Sequence, residues 1–143
     1  MKNFILRIWP SSTVILIIFS VLAFVPTAKA WSFWTYNAGD DVADVGISAD
    51  GNRIVAVTRW TSNLLLLDRS GNLLWRQSLS GSAWSVSISG NGSYIAVGTS
   101  YKKVLLFDGS GSLLWTKELT ASSLGDVDIS SDGRYIVVGG YDN

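Results

Sequence analysis

The chain has 143 residues, with no cysteine and no histidine, and eleven Lys/Arg balance eleven Asp/Glu. Those two absences exclude a Ser-His-Asp triad, a cysteine nucleophile, a disulfide framework and a His/Cys zinc centre within it. Scattered, balanced charge gives no electrostatic footprint for nucleic acid, and no block of like charge marks a disordered tail.

Residues 1–30 have the layout of a secretory signal peptide. Lys2 and Arg7 give a positive start, and 14–25 is an apolar run broken only by Ser20. Pro26 then precedes Ala28-Lys29-Ala30, a small-x-small cleavage pattern. The run is short for a spanning helix, which needs about 20 residues. An uncleaved membrane anchor over 11–28 is the alternative. Cleavage after Ala30 leaves 31–143, with eight cations against eleven acids, a net of −3.

Trp31-Ser32-Phe33-Trp34 aligns with Asn72-Leu73-Leu74-Trp75, so 31–38 is expected to be an outer strand whose inner neighbours come from elsewhere. The first full unit, 42–80, reads as strands at 45–48, 53–58, 63–67 and 73–79, with a tight turn at 49–52. A second unit, 83–120, repeats it about 41 residues later, with Asn91-Gly92 at the first turn and Gly109-Ser110-Gly111 at the last. A third begins at 124 and runs to 143. Val45-Gly46-Ile47-Ser48-Ala49-Asp50-Gly51 returns as Val86-Ser87-Ile88-Ser89-Gly90-Asn91-Gly92 and as Val127-Asp128-Ile129-Ser130-Ser131-Asp132-Gly133. A fixed period of this length marks a repeat architecture. Asp-Gly and Asn-Gly supply the positive φ of two-residue hairpins, so the fold class is all-β.

The strands do not alternate. Leu64-Leu65-Leu66-Leu67, Val104-Leu105-Leu106-Phe107, Ile54-Val55-Ala56-Val57 and Ile136-Val137-Val138 are unbroken apolar runs. Such runs require both faces of a sheet to be covered. With no helices between the strands, the sheets must stack on each other as four-stranded antiparallel blades of a β-propeller. A ring needs about four blades, and this chain holds two full repeats and pieces of two more. The expectation is an incomplete propeller, the N-terminal fragment of a longer chain, or else copies that close a ring together.

At these residues the chain resembles known propeller families. Val-x-Ile-Ser-x-Asp-Gly followed by Tyr-Ile-Val-Val-Gly-Gly is similar to the first half of a WD40-type blade. Asp68-x-x-Gly71-x-x-x-Trp75 and Asp108-x-x-Gly111-x-x-x-Trp115 resemble the tryptophan motif of pyrroloquinoline-quinone (PQQ) propellers. The Gly-His and Trp-Asp dipeptides of WD40 repeats are missing, and the turn before each Trp is shorter than in the quinoproteins. The resemblance covers nearly all of 31–143 and implies the fold more than any one role.

Trp34, Trp75 and Trp115 recur in register, which marks them as elements that brace one blade against the next. Trp60, Trp84 and Tyr101 do not recur as one residue type. Trp60 and Tyr101 lie between second and third strands, and Trp84 lies just before a first strand. Antiparallel pairing places all three on one rim, the candidate binding surface for a protein or a glycan. Asp44, Ser85 and Asp126 share one position at the start of the innermost strands, facing a central channel. Asp126, Asp128, Ser130 and Asp132 put oxygen ligands at alternate positions as in a calcium loop, but Ser131 stands where that loop needs glycine, so no metal site is assigned. Asp68 and Asp108 are expected to cap their turns. Asn91-Gly92-Ser93 fits a glycosylation acceptor and equally a plain Asn-Gly turn.

These readings assign no catalytic residue and no cofactor. The function expected is an exported, non-catalytic binding or scaffold module at the cell envelope, secreted, periplasmic or surface-held. It would touch a membrane only through an uncleaved N-terminal segment. The alternative is the N-terminal part of a PQQ-dependent dehydrogenase, which requires a central carboxylate cluster for calcium and a tryptophan stacked on the quinone.

Overall fold

A computed structural model describes residues 34–120 and 122–141 of the chain. They hold ten strands: β1 (Val42–Ile47), β2 (Arg53–Thr58), β3 (Asn63–Asp68), β4 (Leu73–Ser78), β5 (Ala83–Ile88), β6 (Tyr94–Thr99), β7 (Lys103–Asp108), β8 (Leu113–Glu118), β9 (Ser123–Ile129) and β10 (Ile136–Tyr141). Among the described residues no helix is long and apolar enough to cross a membrane. The expected signal peptide or anchor at 1–30 lies outside them.

The strands form antiparallel sheets in the orders β1-β2-β3-β4 and β5-β6-β7-β8, with β9 and β10 paired separately. The first two are complete blades and the third is half of one, a partial β-propeller. The first turn of each blade shows why the hairpin recurs. Ser48 Oγ donates to Asp50 Oδ1 at 2.6 Å and accepts from the Arg53 amide at 3.0 Å, while Asp50 Oδ1 also receives the Asn52 amide. Ser89 with Asn91, and Ser130 with Asp132, repeat this with the Tyr94 and Tyr135 amides as donors. Gly51, Gly92 and Gly133 follow at φ of 68°, 71° and 74°, a left-handed conformation without steric cost for glycine. The Ser-x-Asp/Asn-Gly string therefore satisfies its own hairpin from within.

Burial shows what stacking does. Val45 and Ile47 are 60% and 63% exposed, whereas their counterparts Val86 and Ile88 are 4% and 7% exposed, and Val127 and Ile129 are 3% and 5%. The residues are identical and the neighbours differ. Val86 and Ile88 pack with Val55, Val57, Leu64 and Leu66 of the first blade. Leu124, Val127 and Ile129 pack with Ala96, Val104 and Leu106 of the second. The second blade is thus covered on both faces, as its unbroken apolar runs require. Full burial of each such side chain stabilises by roughly 1.5–3 kcal/mol.

The remaining face of the first blade, Ala56, Leu65 and Leu67, is covered by Tyr36 and Ala38 of the incoming segment. Residues 31–33 of the outer strand expected at 31–38 lie outside the description, and 34–38 join no sheet. An outer strand forms only by pairing with the third strand of its own blade, and among the described residues no such strand precedes this segment. Tyr36 and Ala38 of this segment pack on the first blade.

Candidate functional site

The two rims of the partial ring are built differently. The rim of tight turns is joined blade to blade by repeated contacts. The Ala49 amide donates to the Gly90 carbonyl and the Gly90 amide to the Ser131 carbonyl, both at 2.9 Å. Trp34 Nε1 donates to the Arg69 carbonyl at 3.1 Å, and Trp75 Nε1 to the Gly109 carbonyl at 3.2 Å. Each indole then covers a glycine. A Cβ on Gly71 would lie 2.7 Å from Trp34 Cε3, and one on Gly111 would lie 3.2 Å from Trp75 Cδ2. A tryptophan from one blade position thus holds the last turn of the next blade. Trp115 occupies the same place in the second blade, is 40% exposed, and makes no such bond among the described residues. Asp68 accepts the Ser70 and Asn72 amides, and Asp108 those of Ser110 and Ser112. Hydrogen bonds hold these turn carboxyls below the usual range, led by the Asn72 side chain at Asp68 and the Ser110 hydroxyl at Asp108. The Ser48 hydroxyl, with the Asn52 amide, brings Asp50 to about 2.

The opposite rim carries Trp60, Trp84 and Tyr101, 72%, 44% and 64% exposed. Three elements place them. The β2–β3 hairpin presents Trp60, and Asp40 fixes it. Asp40 Oδ2 accepts the Trp60 amide at 2.9 Å, the Thr61 amide at 2.6 Å and the Thr61 hydroxyl at 2.8 Å. These bonds, the Thr61 amide first, lower the Asp40 pKa. Trp60 Nε1 reaches Asp41 Oδ2 at 3.3 Å. The β6–β7 hairpin presents Tyr101, whose ring lies against Gly81, where any side chain would strike it.

Trp84 is placed by a bulge. The ladder skips Ala43 between Val42 and Asp44, Trp84 between Ala83 and Ser85, and Gly125 between Leu124 and Asp126. A bulge re-aims the side chain of the extra residue, and only in the second blade is that residue large. Its indole carries the Arg59 guanidinium of the first blade, 5.0 Å from the ring centroid. Arg59 Nε is buried with no hydrogen-bond partner. Sequence reasoning placed the three aromatics on this rim but missed Arg59. Its only sequence signal is its position beside Trp60, and the stack spans two blades.

Along the inner strands, Asp44, Ser85 and Asp126 form one row. Ser85 Oγ lies 3.1 Å from Asp44 Oδ2 and bonds Asp126 Oδ1 as well. Asp44 Oδ2 accepts the Val86 amide at 2.8 Å, and Ser85 Oγ accepts the Val127 amide at 3.2 Å. Asp44 and Ser85 thereby each tie their own blade to the next. Among the described residues no group of three or more His, Cys, Asp or Glu side chains is arranged to hold a metal. Among the described residues the row holds two carboxylates and one hydroxyl, fewer acids than a calcium-bound quinone requires.

Residues 61–143 match the sequence family described as outer membrane protein assembly factor BamB, a PQQ-type repeat family. No curated protein matches the chain in sequence. Among solved structures, the chain is similar to BamB from Moraxella catarrhalis at 27% identity and a TM-score of 0.64, covering 75% of this chain and 33% of that one. It is also similar to the hydrazine synthase of Kuenenia stuttgartiensis, at 12% identity and 0.63, covering 76% and 33%. The third is U3-55K, at 15% identity and 0.65, covering 72% and 34%. The last two likenesses concern the fold alone. The chain spans about one third of the length of these structures.

Proposed function

Because the chain belongs to the repeat family described as outer membrane protein assembly factor BamB, we propose that it is an exported, non-catalytic scaffold at the cell envelope. In this reading it docks a protein partner during outer-membrane protein assembly through the rim of Trp60, Trp84 and Tyr101. The observation that carries the reading is the composition of that rim. Exposed Trp and Tyr beside an arginine that stacks on an indole, on two hairpins and a strand bulge held by a rigid sheet, is the make-up of interface hot spots. The family match and the signal-peptide layout of 1–30 support the compartment. The opposite rim repeats the same turn three times and spends its polar groups on itself, which leaves little to distinguish a partner.

The test is photo-crosslinking in cells. A crosslinking amino acid at positions 60, 101 and, on the opposite rim, 91 is introduced into the full chain, and the cells are fractionated. The reading expects the chain in the envelope fraction and adducts with an outer-membrane assembly protein from 60 and 101 but not from 91. Equal adducts from both rims, or a chain confined to the cytosol, would contradict it.

A further inference from the structure

The open rim holds a guanidinium that no acid meets. Arg59 directly follows β2 and is half-buried, with its guanidinium 5.0 Å from the centroid of the Trp84 ring. A guanidinium has five N–H donors and no acceptor. Among the described residues none of the five finds an oxygen, and Nε is buried without a partner. The ion pair present among these residues joins Arg134 to Asp132 and leaves Arg59 out.

The acids nearest to Arg59 in the chain are committed elsewhere. Asp40 Oδ2 accepts the Trp60 amide, the Thr61 amide and the Thr61 hydroxyl. Asp41 Oδ2 lies 3.3 Å from Trp60 Nε1, and it is the Asp41 backbone carbonyl that accepts the Arg59 amide, at 2.9 Å. Nor is the stacked pair something that blade stacking demands. One period later the positions of Arg59 and Trp84 are Ser100 and Gly125, and the seam there is a cleft of about 400 Å3. The first seam therefore carries a cation, flattened on an indole, whose donors the fold does not use.

We propose that Arg59 receives the side-chain carboxylate of an aspartate or glutamate from a protein partner docked on this rim. The inference rests on the protein-docking reading and names the chemistry of its central contact. Stacking on Trp84 fixes the plane of the guanidinium before a partner arrives, which reduces the entropy lost on binding. A planar fork of donors matches a carboxylate in a bidentate pair, and the exposed rings of Trp60 and Tyr101 on the same rim suit apolar residues beside that acid. Capture of a chain's terminal carboxylate relies on free backbone amides, and the Trp60 and Thr61 amides are already bonded to Asp40.

The experiment replaces the guanidinium by an amine that can be joined to its partner. In cells carrying the full chain with Arg59→Lys, the isolated envelopes are treated with a water-soluble carbodiimide, which condenses an amine with a carboxylate in contact with it. Mass spectrometry then locates the new amide. The expected product links position 59 to an Asp or Glu side chain of another protein. An amide to Asp40 or Asp41 of the same chain, an amide to a partner's C-terminal carboxylate, or no adduct from position 59 would each overturn the proposal. In a second measurement, Arg59→Glu is expected to lower the yield of photo-adducts from position 101 about tenfold. Arg59→Gln, which keeps a polar head without the charge, should lower it in the same direction and carries this test if Arg59→Glu misfolds. Yields unchanged in Arg59→Gln would also overturn the proposal. If these fail while the wild-type crosslinks from 60 and 101 persist, the carboxylate inference alone is wrong. Loss of the rim-specific crosslinks from the wild-type chain removes the docking reading beneath it.

Discussion

The two rims of this partial propeller come from the same strands, yet one is copied and the other varies. On the tight-turn rim, Ser48/Asp50, Ser89/Asn91 and Ser130/Asp132 make one turn three times. On the opposite rim the equivalent residues are Ala43, Trp84 and Gly125 at the bulge, and Arg59, Ser100 and Tyr141 beside it. In a repeat protein, what every unit needs for stacking is retained in every unit. Residues that differ between units at one structural position are free of that demand, and there a site can be built.

The comparison can be broken by moving an aromatic from one class to the other. The largest expected effect is on the copied rim. Trp75→Ala should destabilise the chain by about 3 kcal/mol, because its indole seats the next blade's turn. Trp60→Ala should stay within about 0.5 kcal/mol. Urea unfolding of both variants makes the check, and comparable losses would erase the distinction between the rims. Next, Gly71→Ala should cost about 2 kcal/mol, since φ there is 86° and the new Cβ would press into the Trp34 ring. Thermal unfolding reads that loss, and an unchanged midpoint would mean that Trp34 is not held against this turn.

A smaller effect sharpens the contrast on the open rim. Arg59→Ala should cost about 1 kcal/mol through loss of the stack on Trp84, and a Trp84→Ala background should remove most of that cost. A cost that persists undiminished in the double variant would place the role of Arg59 elsewhere. The smallest effect is acid sensitivity within the copied turn itself. The Asp50 pKa is depressed to about 2, below the unfolded value of about 3.9. Its contribution to stability is therefore fully present above about pH 4 and is lost as pH falls through 2. Asn91 fills the same place without a titrating group. Asp50→Asn should accordingly flatten the decline in stability between pH 4 and 2, measured by chemical denaturation at each pH. A decline as steep as in the parent chain would assign the acid sensitivity to other groups.

Much of the fold was legible in the residues because its signals are local. The Ser-x-Asp-Gly string closes its hydrogen bonds within six positions, and the leucine runs announce two covered faces before any neighbour is known. The expected outer strand at 31–38 shows where this stops. Its motif is local, but pairing needs inner strands that the motif does not carry, and among the described residues Trp34 to Ala38 joins no sheet. The site was legible only in part. The placement of Trp60, Trp84 and Tyr101 follows from strand direction, whereas the bulge that aims Trp84 leaves no mark on composition.

By itself the amino-acid sequence determined the period, the turn chemistry and the demand that these sheets stack, because each depends on residues within one repeat. Tertiary structure decided which seam is filled and which is open. Arg59 meets Trp84, and Ser85 meets both Asp44 and Asp126, across blade boundaries, where the pairing is set by how bulged inner strands lie side by side around the axis.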